Sequence, residues 1–113
     1  MKRLSEELTI ILDDSFKNGV IAKGYLEVVR SVQQKKAKLV VVGKDVDNED
    51  MILEMKRLCN IYETPLVVEL DKDLLGKLVR LDIPTGFVSI KIPGFNKLNF
   101  NHYLSSVAKV KNQ

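Results

Sequence analysis

The segment from Ala37 to Cys59, AKLVVVGKDVDNEDMILEMKRLC, decides the fold class of this chain. It contains an unbroken run of aliphatic residues, Leu39 to Val42, which is followed by Gly43 and Lys44. Such a run without polar alternation is typical of a β-strand that is buried on both faces. A strand of this kind is covered by helices on both sides, so the segment predicts a layered α/β protein.

The second half of the same segment predicts a helix. Acidic residues cluster from Asp45 to Asp50, and apolar side chains then recur at helical spacing over about thirteen residues that start near Glu49. We therefore expect the acids to lie at the N-terminus of this helix, where the helix dipole favours negative charge. Cys59 falls among the inward-facing positions, which predicts a buried structural thiol.

Upstream of this unit the sequence predicts two helices and a short strand. The first helix carries an apolar stripe from Leu4 to Leu12 and ends at Asn18–Gly19, with Ser5 as its expected N-cap. A very short strand, Val20 to Ala22, follows, and Gly24 then leads into the second helix.

Downstream, two further strands alternate with two helices. The predicted elements are a buried strand from Leu66 to Leu70, a helix from Lys72 to Val79 capped by Asp71, a strand near a sheet edge from Val88 to Ile92, and a last helix from about Asn99 to Val110. Helices and strands thus alternate along the whole chain. This order predicts the α/β class, a three-layer α/β/α sandwich with a small mixed sheet, in one domain over residues 1–113.

Composition narrows the class of protein. Hydrophobic residues make up 45% of the chain and charged residues 29%, which is typical of a globular domain. The longest apolar run is far shorter than a membrane span, and no signal-peptide pattern opens the chain, so we expect no membrane partner. A single cysteine cannot form an internal disulfide, which predicts a reducing compartment, the cytosol or the nucleus.

The positive charge is distributed unevenly along the chain. The net charge is only +3, but the segments 30–44 and 83–113 contain basic residues and no acidic residue. Such segregation allows a one-sided basic surface that a polyanion would bind. The basic residues of the two segments are Arg30, Lys35, Lys36, Lys38, Lys44, Lys91, Lys97, Lys109 and Lys111.

No sequence pattern indicates catalysis or a metal site. The acids from Asp45 to Asp50 alternate like the start of a calcium loop, but Lys56 stands where that loop requires glutamate. His102 is the single histidine, so a multi-histidine metal site within the chain is excluded. We predict that the protein is not an enzyme and has neither a cofactor nor a small-molecule substrate.

The N-terminal segment has a second interpretation. Leu8–Asp14, LTIILDD, resembles the first strand and acidic pair of a receiver domain, in which Asp13 and Asp14 would bind magnesium and Asp45 would accept a phosphoryl group. The helical spacing of the apolar residues favours a helix instead. In addition, Glu69–Leu70 stands where the receiver pattern expects a lysine.

Several short motifs follow one another in the order of the predicted elements. They are Ala22-Lys23-Gly24, Lys38-Leu39-Val40-Val41-Val42, Asp45-x-Asp47, Leu58-Cys59, Thr64-Pro65-Leu66 and the leucine–glycine helix from Asp71 to Val79. From about Leu8 to Ile92 the chain resembles the superfamily of kink-turn-binding ribosomal proteins, which includes archaeal L-seven-Ae and eukaryotic L-thirty-e. Within it, the chain looks most like the eukaryotic small-subunit ribosomal protein S-twelve family. In the leucine–glycine helix, Gly76 would permit close backbone packing.

The resemblance implies a structural constituent of the small ribosomal subunit that binds ribosomal RNA and neighbouring small-subunit proteins without catalysis. It implies a cytoplasmic location on the ribosome and allows assembly in the nucleolus. Two alternatives remain open. One is a kink-turn RNA-binding module in the assembly of ribosomes or small nucleolar particles, and the other is a protein-interaction member of the same fold.

The resemblance also implies which residues bind RNA. Kink-turn binders of this superfamily carry Gly-x-Asn-Glu and a basic residue three positions later, where this chain has Gly24-Tyr25-Leu26-Glu27-Val28-Val29-Arg30. Leu26 replaces the asparagine that contacts a guanine edge in the family, as also happens in the S-twelve branch, and leucine has no donor or acceptor. We therefore expect phosphate contacts to supply most of the affinity. The predicted RNA-binding residues are Lys23, Gly24, Arg30, Lys35, Lys36, Lys38 and Lys44.

Overall fold

The architecture was obtained from a computed structural model that describes the backbone of residues 4–111 and the side chains of residues 4–107. Helices and strands alternate throughout this part of the chain, as the sequence predicts. The elements are α1 (Leu4–Asn18), β1 (Val20–Lys23), α2 (Tyr25–Gln33), β2 (Leu39–Val42), α3 (Glu49–Ile61), β3 (Leu66–Val68), α4 (Lys72–Leu78), β4 (Phe87–Ile92) and α5 (Lys97–Lys111).

The strands form one mixed sheet in the order β1-β4-β2-β3. β4 pairs antiparallel with both β1 and β2, whereas β2 and β3 are parallel. Side chains of α1, α4 and α5 pack on one face of this sheet and those of α2 and α3 on the other. The predicted three-layer α/β/α sandwich with a small mixed sheet is thus confirmed.

A hydrophobic core lies on each face of the sheet, and strand β2 contributes side chains to both. Leu39 and Val41 pack with α1 and α5, whereas Val40 and Val42 pack with α2 and α3. None of the four side chains is exposed to solvent. This double burial explains why the strand has no polar alternation.

The central β–α unit follows the prediction closely. Helix α3 is 13 residues long and starts at Glu49, and Asn48 caps it by accepting a hydrogen bond from the backbone N–H of Met51. Cys59 is buried in the core between α3 and the sheet. Asp71 caps α4 through the backbone N–H of Leu74, also as predicted.

Three predictions about local structure are wrong. The segment predicted as a buried strand from Leu66 to Leu70 forms the three-residue strand β3 at an edge of the sheet, where Val68 is exposed. The last strand, β4, lies inside the sheet, between β1 and β2, and not near an edge. The polar residue Ser89, which made it look like an edge strand, is fully buried and meets the Ser31 hydroxyl of α2. Ser5 lies within α1 and does not cap it, since the helix already includes Leu4. The side chains of Lys109 and Lys111 lie outside the described residues.

The receiver-domain interpretation is also wrong. Leu8–Asp14 is helical throughout, within α1. Asp13 forms a salt bridge with Lys17 at 3.0 Å, and the Asp45 carboxylate accepts a hydrogen bond from the backbone N–H of Lys72 at 2.9 Å. Over the described residues, no group of three or more histidine, cysteine or acidic side chains is placed to hold a metal ion. Within the same range, no helix is long and apolar enough to cross a membrane.

Candidate nucleic-acid interface

The sheet has two ends, and they carry different sets of the predicted site residues. At the Gly24 end, β1 and β2 finish and β4 begins; at the Lys38 end, β2 begins and β4 finishes. Since β4 has six residues, the two ends are about 20 Å apart at the usual rise of a strand. The residues predicted to bind RNA therefore cannot all converge on one small site.

The N-terminus of α2 is the most distinctive feature of the Gly24 end. Gly24 occupies the N-cap position with φ 94° and ψ 150°, a backbone conformation that is essentially restricted to glycine. Among the described residues, no side chain caps the helix, and a Cβ atom at Gly24 would meet no atom within 4 Å. The first backbone N–H groups of α2 thus lie at an open surface, where the helix dipole attracts an anion.

Neighbouring contacts fix the direction of this helix start. The Gly24 N–H donates to the carbonyl oxygen of Phe87 at 2.9 Å, and the Tyr25 ring packs edge-on against the Phe87 ring at 5.1 Å. Leu26 points away from the protein with 74% of its surface exposed. Arg30 is four residues further along α2 and also exposed, so it extends the same face of the helix by one turn.

The segment 80–86 forms a second wall of the Gly24 end, which the sequence analysis missed. Ile83 is 69% exposed, and its backbone packs so closely on α4 that a Cβ atom at Gly76 would lie 2.6 Å from the Ile83 carbonyl oxygen. This contact confirms the close packing predicted for Gly76. At its other side, the carbonyl oxygen of Gly86 accepts from the Gly43 N–H at 2.8 Å. An isolated isoleucine in a turn gives no periodic signal, so only the fold reveals it.

Two lysines bring positive charge to this end. Lys44 follows β2 and is exposed, and its backbone N–H donates to the carbonyl oxygen of Leu70 at 2.8 Å. The aliphatic part of Lys72 lies over two glycines, since Cβ atoms at Gly43 and Gly86 would be 3.3 Å and 3.9 Å from it. The sequence analysis missed Lys72, although its place after β3, parallel to β2, could have indicated it.

Lys23 also lies at the Gly24 end, but its ammonium group makes contacts within the protein. Its Nζ donates to the carbonyl oxygen of Val79 at 3.1 Å and lies 5.5 Å from the centre of the Phe16 ring. Arg80 approaches the same ring at 5.6 Å and reaches Asp13 at 3.6 Å. The Lys23 ammonium therefore ties β1 to the end of α4, and one of its three donors is used within the protein.

The other predicted lysines lie elsewhere. Lys35 and Lys36 follow the C-terminus of α2, and Lys38 precedes β2, so all three belong to the Lys38 end. Lys38 and Lys44 flank the same four-residue strand and are therefore on opposite sides of the molecule. The structure brings Gly24 and Lys44 to one end and separates them from the lysines of 35–38, with Arg30 between the two groups.

Comparison with known proteins identifies the class to which this fold and site belong. The family described as "Ribosomal protein L7Ae/L30e/S12e/Gadd45 family" matches residues 6–99, and the chain belongs to this family. It is 29% identical over 108 residues to the large ribosomal subunit protein eL8 of Thermoplasma volcanium, which covers 96% of this chain and 88% of that protein. The structure of a Giardia lamblia 15.5kD RNA binding protein matches with a TM-score of 0.80 and 27% identity, over 99% of this chain and 91% of that one.

These matches confirm the predicted superfamily but not its small-subunit branch. The curated relative is a protein of the large ribosomal subunit, so the small-subunit assignment is wrong and the S-twelve assignment is unsupported. That assignment depended partly on the leucine at position 26 and on a lysine-bearing C-terminal helix. Leu26 is 74% exposed, so the packing of the shared fold does not determine which residue stands there.

Proposed function

We propose that the chain is an RNA-binding module that recognises a kink-turn, a sharply bent element of RNA, through the Gly24 end. The observation that carries this proposal is the open, glycine-capped N-terminus of α2 beside segment 80–86. Membership of the family and the similarity to an RNA-binding protein of known structure support it.

The chemistry of the Gly24 end suits a bent RNA better than a regular duplex. The N-terminus of α2 can bind a phosphate through backbone N–H groups, while Lys44, Lys72 and Arg30 supply positive charge around it. Between these polar groups stand the exposed side chains of Leu26 and Ile83. Apolar side chains gain contact with bases that have left the stack, and a kinked RNA exposes such bases whereas a continuous duplex does not.

Leu26 determines how much base specificity this surface has. A leucine side chain cannot hydrogen-bond to a guanine edge, so the wild-type protein would recognise the kink mainly by shape and phosphate position. Replacing it by asparagine would restore a donor and an acceptor at a solvent-exposed position. We expect Leu26→Asn to tighten binding to a kink-turn RNA by about 5- to 150-fold, which corresponds to the 1–3 kcal/mol of a good base contact.

Fluorescence anisotropy with two labelled RNAs of equal length, a kink-turn and a straight duplex, tests the proposal at fixed salt. The wild-type protein should prefer the kink-turn, and Lys44→Glu should weaken that binding. Lys56→Glu is the matched control, because Lys56 is exposed on α3 and borders a cavity with Glu63, Thr64 and Pro65 at the opposite end of the sheet. Equal affinity for the two RNAs, or equal effects of the site and control variants, would refute the proposed function.

We further propose that the RNA is ribosomal and that the protein acts on the ribosome in the cytoplasm, with assembly in the nucleolus, and without catalysis. The relative in the large ribosomal subunit supports this location. Sedimentation of a cell lysate tests it, and the chain should travel with large-subunit particles. Recovery only with small nucleolar particles would reassign the module to their assembly. Recovery only as free protein would favour a protein-interaction role and overturn the ribosomal assignment.

A further inference from the structure

We propose that the Lys38 end is a second RNA-binding surface, which holds a single-stranded segment separate from the RNA at the Gly24 end. Lysines would contact the phosphates of that segment, and Phe95 would stack on one of its bases. The inference extends the proposed function, because it lets one molecule bind two segments of RNA at once.

The backbone brings four lysines to this end. After α2, the N–H groups of Lys35 and Lys36 donate to carbonyl oxygens in the last turn of the helix, which fixes the course of the chain. The N–H of Lys38 then donates to the carbonyl oxygen of Ile90 at 2.7 Å. Lys38 is therefore next to the segment of β4 that carries Lys91. Lys35, Lys36 and Lys38 are exposed, and Lys91 is half-buried.

Contacts within the protein leave this charge largely unneutralised. Among the described residues, none of these lysines takes part in a salt bridge. A cation near a helix C-terminus is favourable, which accounts for Lys35 and Lys36 but not for Lys38 and Lys91 on adjacent segments of the sheet. Two acids lie at this end: Glu63, after α3, forms no salt bridge among the described residues, and the Asp14 carboxylate accepts hydrogen bonds from the backbone of Phe95 and Asn96. The remaining charge is available to a polyanion.

Phe95 indicates that the polyanion has unpaired bases. Its side chain is 83% exposed, although its backbone is firmly held. The Asp14 carboxylate accepts hydrogen bonds from the N–H groups of Phe95 at 3.3 Å and Asn96 at 3.1 Å. Gly94 lies so close to the same carboxylate that a Cβ atom there would clash with it. The Phe95 ring is thus rigidly presented at the same end of the sheet as the lysines. An exposed aromatic ring and a group of lysines at one surface can bind single-stranded nucleic acid, by stacking and by phosphate contacts.

The two surfaces are far enough apart to be occupied together. Phe95 follows the end of β4 and therefore lies at the Lys38 end, about 20 Å from the helix start at Gly24. No acidic residue occurs in the segment 83–113 that carries both Lys91 and Phe95.

A competition titration with the full chain tests this inference. A labelled single-stranded RNA of about 12 nucleotides, within the usual range of such sites, is added to protein already saturated with unlabelled kink-turn RNA. The oligonucleotide should still bind. Phe95→Ala should weaken its binding by about 5- to 150-fold without changing the salt dependence, since stacking contributes 1–3 kcal/mol per base. Lys36→Glu combined with Lys38→Glu should lower the slope of log K against log salt by about 1.4, at roughly 0.7 per phosphate.

Two controls make the outcomes distinct. Lys77→Glu on α4, next to Gly76 at the Gly24 end, and Leu53→Ala on α3 make the same kinds of change at exposed positions and should leave oligonucleotide binding unchanged. Complete displacement by kink-turn RNA, or equal effects of the surface and control variants, would overturn the second surface. If the kink-turn RNA itself does not bind, the proposed function of the Gly24 end fails. Oligonucleotide binding that depends on Phe95 and Lys38 would then still support the Lys38 end.

Discussion

The buried serine pair between α2 and β4 allows a quantitative test of the packing that holds α2 in place. The Ser31 Oγ donates to the carbonyl oxygen of Val28 at 2.6 Å and lies 2.8 Å from the Ser89 Oγ. Because a carbonyl can only accept, the Ser31 hydrogen is directed to Val28, and Ser89 must donate to Ser31. Ser31 and Ser89 are 1% and 0% exposed, so water cannot replace either bond.

Because of this direction of donation, removing the Ser31 hydroxyl and removing the Ser89 hydroxyl should cost different amounts of stability. Ser31→Ala removes the acceptor of a fully buried hydroxyl, which costs about 1–3 kcal/mol. Alanine has a higher helix propensity than serine, which offsets only about 0.5 kcal/mol of this cost. Ser89→Ala leaves the bond from Ser31 to Val28 intact and should cost at most about 1 kcal/mol. The double variant removes both polar groups, so it should be more stable than Ser31→Ala alone.

Urea and thermal unfolding of the four proteins measure this cycle, and each 1 kcal/mol corresponds to about 4 °C in Tm for a domain of this size. Ser106→Ala is the control, because the Ser106 hydroxyl bonds to the carbonyl oxygen of His102 on an exposed face of α5. Its Tm should stay close to that of the wild type. A double variant less stable than Ser31→Ala, or a larger cost for Ser89→Ala than for Ser31→Ala, would refute the assigned direction of donation.

Three further predictions concern positions around the two surfaces. Gly76→Ala should lower the free energy of unfolding by about 1–3 kcal/mol, since its Cβ would meet the Ile83 carbonyl oxygen at 2.6 Å. Gly43→Ala is its control in urea unfolding, because the nearest atom is the flexible Lys72 side chain at 3.3 Å. Glu63→Gly should raise the same free energy by about 0.5–1 kcal/mol, because Glu63 ends α3 at φ 54°, where glycine has no steric penalty; no gain in urea unfolding would contradict this. Hydrogen bonds from the Asn18 side chain and from backbone N–H groups hold the pKa of Asp14 below its usual value, against a smaller opposite effect of burial. Its stabilisation is therefore present above pH about 4 and lost as the pH falls through the lowered pKa. In urea unfolding at a series of pH values, Asp14→Asn should reduce the loss of unfolding free energy below pH about 4. An unchanged pH dependence would contradict a stabilising role of the Asp14 carboxylate.

The sequence predicted the elements whose patterns are local, and it failed where a distant partner decides the outcome. The aliphatic run from Leu39 to Val42 by itself predicts a strand that is buried on both faces, and no tertiary information is needed. Ser89, in contrast, makes β4 look like an edge strand, because its partner Ser31 is 58 positions away in the chain. Buried polar pairs of this kind imitate a solvent-facing alternation, and no single-sequence pattern separates the two cases.

The same limit applies to the candidate site. The motif at Gly24 was recognisable because Gly24, Glu27 and Arg30 match the family pattern within seven consecutive residues. The ammonium of Lys23 is directed to the Val79 carbonyl, 56 positions away, and the sequence gives no sign of this contact. The separation of Lys38 from Lys44 could have been predicted, since the strand between them must place them at opposite ends of the sheet.

Leu26 is the residue at which this chain departs most clearly from the family pattern, and its exposure indicates why the departure matters. A side chain with 74% of its surface in water contributes little to folding, so packing does not require leucine there. With Ile83 it gives the Gly24 end two apolar side chains around a helix start that attracts anions. Under the proposed function, such a surface would discriminate by the shape of the RNA and by the presence of unstacked bases, and it would be insensitive to the identity of the base that faces Leu26. We therefore expect the wild-type protein to tolerate changes of the kink-turn guanine that Leu26→Asn would no longer tolerate. Measuring both proteins against the same set of base substitutions would decide this, and equal tolerance would contradict recognition by shape.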